Sequence, residues 1–303
     1  MGLIPSYCRA LIKLHKTVRF EGPVLTLGNQ DVWANYDQLK IFFDEMACPR
    51  AETIPTPHTS SLFRNQPVAN DFVHARTLFG MMGVEEYFDL DKFEDDSPQI
   101  LRDLNTVVPH ELRDRFNLIL DGGTIEHIFD VRQVMENIVR MCRKGGWVVH
   151  FTPASNYLDH GLYSFSPRFF YDFYGSNGFG DFACSIFQVA PDDFFGRCSY
   201  FDYSYGMDLT KSIDPKKIVV VFFAAHKLSS SETLVIPLQG AYQSELRNTN
   251  CQTAKPDRSK PAPDSLLDRL VPDFLIDYVK PFRPFLGAIR TKVSPRYKRL
   301  PKM

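Results

Sequence analysis

The sequence predicts an α/β fold built on a mostly parallel sheet with helices on both faces. Two observations carry this expectation. Strand-like and helix-like patterns alternate over the first three-quarters of the chain, and the strand segments are near-continuous apolar runs, as strands buried on both faces require. Seven strand patterns can be counted, and the last two have no strong helix between them, so the final strand is expected to run antiparallel. With 44% hydrophobic and 23% charged residues, the 303-residue chain can bury a sizeable core and is not globally disordered.

The elements follow in order. Residues 24–27 (VLTL) read as a short buried strand closed by Gly28, and residues 35–47 carry a helical pattern. Pro49, Pro55, Pro57 and Pro67 break residues 48–69 into an irregular insertion. A helix over 70–82 precedes a strand over 84–90, then a brief strand at Ile100-Leu101, then the strand 116–120 (FNLIL). Asp130 with Gln133 has capping-box spacing for a helix that Gly145-Gly146 should end, with Arg143 and Lys144 in its last turn. Residues 147–151 (WVVHF) form a strand, and Ser166-Pro167 opens a further helix that stops near Asn177-Gly178. Strands at 182–190 and 217–227 close a domain spanning 1–228, with an aromatic-rich insertion at 192–216. Residues 229–264 read as a flexible linker, and 265–303 as an amphipathic, basic tail.

Charge and cysteine usage narrow the function classes. Lys+Arg 35 against Asp+Glu 36 leaves a net charge of -1, which gives no global signature for nucleic acid or membrane. The longest apolar run, residues 218–225, is far short of the roughly 20 residues of a spanning helix. The N-terminus lacks a signal peptide's apolar stretch, and Met1-Gly2 with Ser6 matches the myristoylation template only by chance. The six cysteines include no C-x-x-C pair, so no metal site and no disulfide scaffold is expected, and a reducing cytoplasmic compartment is the simplest setting. The basic tail could touch anionic lipid at the inner face of a membrane, although a helix docked on the domain is the simpler reading.

Ligands of open parallel sheets bind at the carboxyl ends of the strands. Those ends hold Thr26-Leu27-Gly28-Asn29-Gln30, Asp89-Leu90-Asp91, Asp103-Leu104-Asn105 and Asp121-Gly122-Gly123-Thr124-Ile125-Glu126-His127. A carboxylate at the second end can accept both hydroxyls of a ribose, although exposed loop acids are the plainer reading. At the third end, Asp103 can meet an exocyclic amine or simply make a turn. At the fourth, Glu126 and His127 can hold an amine or remove a proton, against a tight turn leading into a helix. The loop 153–163 is polar, aromatic and glycine-punctuated, as substrate loops often are.

The run LDGGTIEHIFDVRQVMENIVRMCRKGGWVVHFTPASNYLDHGLYSFSPRFFYDFYGSNGF resembles class I S-adenosylmethionine-dependent methyltransferases. The bacterial group it is most similar to is associated with glycan and surface-polysaccharide biosynthesis. The resemblance covers residues 116–180 strongly and 24–31 and 84–105 fairly. It implies a Rossmann-like methyltransferase fold and S-adenosylmethionine as cofactor. Thr26, Leu27, Gly28 and Gln30 would lie under its methionine part. Asp89, or Asp91 as the alternative, would hold the ribose, and Asp103 with the Leu104 backbone would meet the adenine. Asp121, Gly122, Glu126 and His127 would line the methyl-transfer face. His127 and His160 are the candidate bases, with Glu126 beside them, and Asn156 and Tyr163 would face a small-molecule or glycan acceptor. The chain departs from the family where Thr26 replaces an acid and only Gly28 remains of a three-glycine loop. A catalytically silent binding module of the same fold is the alternative, and a nicotinamide-dependent dehydrogenase lacks its glycine fingerprint.

Overall fold

A computed structural model describes residues 2–58, 71–94, 97–209, 212–230 and 234–240. The elements run α1 (Pro5–Val18), β1 (Val24–Leu27), β2 (Asp31–Val32), α2 (Tyr36–Glu45), β3 (Val73–His74), α3 (Ala75–Met81), β4 (Tyr87–Asp91), β5 (Ile100–Leu101), β6 (Phe116–Asp121), α4 (Val131–Met141), β7 (Cys142–Ser155), α5 (Pro167–Ser176), β8 (Phe179–Val189), β9 (Ser199–Asp202) and β10 (Ile218–Lys227). The tail 265–303 and most of the expected linker lie outside the described residues, as do 59–69 of the first insertion.

The main sheet has eight strands in the order β5-β4-β1-β6-β7-β10-β8-β9. β5, β4, β1, β6 and β7 are mutually parallel, and β10 pairs antiparallel with both β7 and β8. The last strand therefore does run antiparallel, and it is inserted between two earlier ones. The eighth strand, β9, comes from within the aromatic insertion and pairs with β8. A separate two-stranded ribbon joins β2 to β3.

Two cores sandwich the sheet. One face packs α1, α2 and α3 through Tyr7, Leu11, Ile12, Phe43 and Phe79 onto Tyr87, Leu118, Leu120, Val149 and Phe151. The other packs α4 and α5 through Val134, Ile138, Phe170 and Tyr174 onto Leu25, Ile119, Val148 and Phe223. The alternation along each strand sorts side chains between these faces, which decides below where each acid points.

Three expectations need correction. Helix α1 has no counterpart in the sequence reading, although its buried residues Tyr7, Cys8, Leu11, Ile12, Leu14 and His15 recur at helical spacing. Helix α4 ends at Met141, not at Gly145-Gly146. That glycine pair lies inside β7, where the register against β6 shifts between Phe116 and Leu118; Gly145 takes φ +79°, and a Cβ on Gly146 would sit 3.0 Å from the Asn117 carbonyl oxygen. The double glycine is thus the bulge of a long strand. The helix expected over 70–82 is shorter, because residues 73–74 are taken by β3. By contrast, Ser166 caps α5 by accepting from the Arg168 amide, and Asp130 caps α4 by accepting from the Gln133 amide. The Gln133 side chain turns instead to Asn137 Oδ1 (3.0 Å), so only half of the capping box forms.

Candidate active site

The strand order places the site. From β1 the chain builds outward to β4 and β5, then returns to lay β6 on the other side of β1. In open sheets of this kind the ligand crevice falls where the strand order reverses, here outside the carboxyl ends of β1 and β6. Gly28 follows β1 and Gly122-Gly123 follow β6, so glycines flank the crevice on both sides. Gly28 holds φ +73° and Gly123 φ +92°, the left-handed region glycine enters at low cost.

Two side chains fill the gap between these turns. Thr124 Oγ1 donates to the Leu27 carbonyl at 2.6 Å, and Gln30 Nε2 donates to the same oxygen at 3.0 Å. An added Cβ on Gly28 would meet Thr124 Oγ1 at 2.8 Å, and one on Gly122 would collide with Gln30 Oε1. That Gln30 oxygen is buried without a hydrogen-bond partner. Leaving such an acceptor unpaired costs roughly 1–3 kcal/mol, a cost that a donor placed there would relieve.

The acids divide by face. Asp91 ends β4 beside the crevice, where its Oδ2 accepts from the Asn29 amide at 3.2 Å and its Oδ1 accepts from the Lys92 and Phe93 amides. Asp89 lies two residues back on the same, α3, face of the sheet, deeper in the strand. Its Oδ1 accepts from the Gln99 amide at 2.8 Å, and its Oδ2 stands 3.6 Å from His74 Nε2. Asp89 is only 5% exposed, whereas Asp91, at the strand end, is half-buried, so of the two it is the alternative, Asp91, that lies open to a ligand. Thr26 shares that face, buried, with its hydroxyl 2.8 Å from the Tyr87 hydroxyl, and Leu27 is buried in the opposite core, so only Gly28 and Gln30 of the first segment face the crevice.

Asp121 is corrected most firmly. It shares a face with Ile119, and its carboxylate lies wholly buried on the α5 side. Its Oδ1 accepts from the Thr124 and Ile125 amides (2.9 and 3.3 Å), and its Oδ2 is 2.8 Å from His150 Nδ1. His150 Nε2 in turn lies 2.7 Å from the Tyr174 hydroxyl. The role of Asp121 is to hold the turn that carries Glu126.

On the far rim, Asp103 makes an Asx turn with Asn105 and pairs with Lys92 Nζ at 2.9 Å; that ammonium pulls its carboxyl down to about 2. Leu104 is buried, and its carbonyl accepts from Asn137 Nδ2 at 3.0 Å. Asn137 also accepts from the Val108 amide, so α4 clamps the whole 104–108 loop.

A cluster of three titratable side chains lies just past Gly123. A 3-10 turn, Ile125–His127, carries Glu126 fully buried, and neither of its carboxylate oxygens has a hydrogen-bond partner. His160 Nε2, also buried and unpartnered, stands 3.6 Å from Glu126 Oε1, and His127 Nε2 stands 3.8 Å from it. The loop 156–163 is tied here because the Leu162 and Tyr163 amides donate to the Glu126 carbonyl (2.8 and 3.2 Å). Gly161 allows the close approach: a Cβ there would sit 3.0 Å from Glu126 Cγ. Burial pushes the Glu126 carboxyl above its usual range and the His127 imidazole below its own.

Glu126, His127 and His160 are thus brought together, while the acceptor candidates are not. Asn156 points away and donates to the Lys217 carbonyl at 3.0 Å, and the Tyr163 hydroxyl donates to the Phe129 carbonyl at 2.7 Å. The structure adds Tyr157, stacked on His160 with centroids 3.9 Å apart. It also adds His74, whose Nε2 lies 2.7 Å from Asn29 Oδ1 and so links the β1 loop to the α3 side. Tyr157 had a signal, an aromatic three residues before a histidine in a glycine-bearing loop; His74 had none, because its partners are distant in sequence.

No family model matches the chain, and no curated protein matches it. Solved structures similar to it include a SAM-dependent methyltransferase of Thermotoga maritima (14% identity, 73% of this chain and 91% of that chain, TM-score 0.35). The YcgJ protein of Bacillus subtilis is similar at 10% identity (74% and 99%, TM-score 0.38), and the DszA carbon methyltransferase at 14% (70% and 49%, TM-score 0.35). These likenesses are shallow, and the Rossmann-like assignment rests on the strand order itself. Among the described residues, no helix is long and apolar enough to cross a membrane.

Proposed function

We propose that this chain is an S-adenosylmethionine-dependent methyltransferase whose acceptor is a hydroxyl of a sugar, a glycan intermediate or a similar polar molecule. One observation carries the reading. The strand-order reversal is bounded by glycine turns and an unpaired Gln30 oxygen, and the turn after β6 leads directly to a buried carboxylate flanked by two imidazoles.

The residues fit the cofactor in kind. Gly28, Gln30 and Gly122 would hold its amino-acid end, where the orphaned Gln30 oxygen suits an ammonium donor. Asp91 would take the ribose, and the Asp103-Leu104 turn would border the base. When bound, S-adenosylmethionine supplies an electrophilic methyl group. The chain then has two tasks: to fix the acceptor oxygen in line and to remove its proton. His127 is suited to the second, since burial keeps its imidazole neutral and its ring is partly open to solvent. His160 is the other candidate base. Tyr157, stacked beside it, offers an aromatic face to a sugar ring.

One observation favours the silent binding module: Gln30 and Thr124 close the gap between β1 and β6 and must give way for a ligand to enter. Calorimetric titration with S-adenosylmethionine and S-adenosylhomocysteine separates the readings. Binding that weakens about tenfold or more in Asp91→Asn, a loss of about 1.4 kcal/mol or more, and is unchanged in Asp89→Asn supports the enzyme. Folded protein that binds neither ligand hands the site to the module.

A further inference from the structure

We infer that Glu126, His127 and His160 form a binding site for a single transition-metal cation of the zinc class. The inference rests on the methyltransferase reading for its chemistry and revises one role in it: with the cation bound, both imidazoles would be ligands, and the acceptor hydroxyl would be acidified by the metal instead of by a histidine base, while the geometry stands independently. The three side chains converge, each offering one ligand atom, and these atoms lie within 4.8 Å of one another. The Glu126 oxygen is 3.6 Å from His160 Nε2 and 3.8 Å from His127 Nε2. Ligand atoms around a tetrahedral zinc, with bonds of about 2.0–2.2 Å, sit about 3.4 Å apart, so the two Glu126 distances need contract by only a few tenths of an ångström, and the two imidazoles, within 4.8 Å, draw together by a side-chain rotation.

The second observation is the unsatisfied chemistry. Both Glu126 oxygens and His160 Nε2 are buried without hydrogen-bond partners. A carboxylate wholly removed from water with no donor closer than the imidazole 3.6 Å away is costly, and the cost is relieved by closer pairing or by coordination. Among the described residues no Lys or Arg forms an ion pair with Glu126, and its salt-bridge partners are the two imidazoles. Imidazole and carboxylate together select a zinc-class cation over magnesium or calcium, which prefer oxygen alone.

The supports are already fixed. The Glu126 carbonyl is held by the Leu162 and Tyr163 amides, Gly161 lets the loop lie against it, and Tyr157 stacks on His160. Three protein ligands leave at least one position open, and the exposure of His127 (43% of its side chain) turns it toward solvent. That position suits an oxygen of the acceptor or a water, which is the arrangement of catalytic rather than structural zinc sites.

The test uses the full chain, stripped with chelator and titrated with Zn2+ alone by calorimetry, then with Co2+ to read the visible ligand-field bands of its nitrogen and oxygen shell. The expected result is one equivalent bound, with affinity falling about a hundredfold or more in Glu126→Gln and His160→Ala, and falling in His127→Ala. His226→Ala, beside Trp147 at the opposite end of the strands, should bind as the parent does. Circular dichroism checks the fold of each variant, and the exposed His127 carries the test if a buried substitution unfolds the protein. Folded parent that takes up no ion, or uptake untouched by these substitutions, overturns the site. Parallel titration with S-adenosylhomocysteine keeps the outcomes apart: cofactor binding without metal sinks only the metal site, and metal binding without cofactor sinks only the methyltransferase.

Discussion

At the scale of single residues, the site depends on a buried relay that never touches a ligand. Tyr174, His150 and Asp121 run in a chain of hydrogen bonds through the core to the turn that presents Glu126. Removing the Tyr174 hydroxyl leaves a buried imidazole nitrogen unpaired, which costs about 1–3 kcal/mol. Tyr174→Phe should therefore lower stability by that amount in urea unfolding. Asp121 was legible in part: its place one pleat after Leu120 puts it on the Ile119 face, but a polar residue ending a strand beside two glycines looks like a ligand residue until its partners are known. Glu126, His127 and His160 could be singled out in sequence, whereas their convergence across the loop could not.

Histidines elsewhere set the acid response. His15 Nδ1 accepts from the Phe20 amide at 3.1 Å, and burial lowers the imidazole to about 4 from an ordinary 6.5. A depressed histidine binds fewer protons folded than unfolded, so its stabilising contribution is complete above pH 6.5 and is lost as pH falls toward 4. His74 is lowered to about 4 by the same cause. Melting temperature should fall through that window, and His15→Gln should flatten the fall; an unchanged profile in the variant would place the acid sensitivity elsewhere.

At the scale of elements, the end of α4 is finished from across the sheet. Lys227, the last residue of β10, is buried, and its ammonium donates to the Val139 and Cys142 carbonyls (2.8 and 2.6 Å) while pairing with Asp114 at 3.2 Å. A cation on the last carbonyls of a helix satisfies orphan acceptors and complements the dipole. Lys227→Met keeps most of the stem's volume and removes the charge, and should cost about 3 kcal/mol, as hydrogen bonds to charged groups do. The same helix shows why its boundary was hard to read. Arg143, Lys144 and the two glycines carry every local mark of a helix stop. The decisive fact is long-range: β6 is available to pair with a strand beginning at Cys142. Helix α1 fails differently. Its apolar spacing is plain and Pro5 suits a first helical position, but with no acid in the first turn and no capping side chain at Ile4 the other opening signals are missing.

At the scale of the whole molecule, the sequence foretold the parallel half of the sheet better than the other. Parallel strands announce themselves as apolar runs separated by helices, and β1, β4, β5, β6 and β7 appeared near their expected places. The aromatic insertion was visible as composition only. Its strand β9 is mostly exposed or half-buried along its length, so it lacks the apolar run that marks the others. The crevice follows from the half that was legible, since the point of strand-order reversal depends only on β1, β4 and β6. Its occupancy by Gln30 and Thr124 depends on rotamers no pattern encodes.

The insertion of β10 between β7 and β8 has a consequence for synthesis. As the nascent chain leaves the ribosome, β7 and β8 are complete while the strand that joins them is still unmade. Each then presents a long row of unpaired amides and carbonyls, the template on which foreign strands add. Until residue 227 has emerged, the half-built sheet carries two raw edges and an α4 whose last carbonyls await their ammonium. The protein's exposure to misassembly is thus concentrated in the interval between residues 189 and 227, when a chaperone that shields strand edges has most to offer.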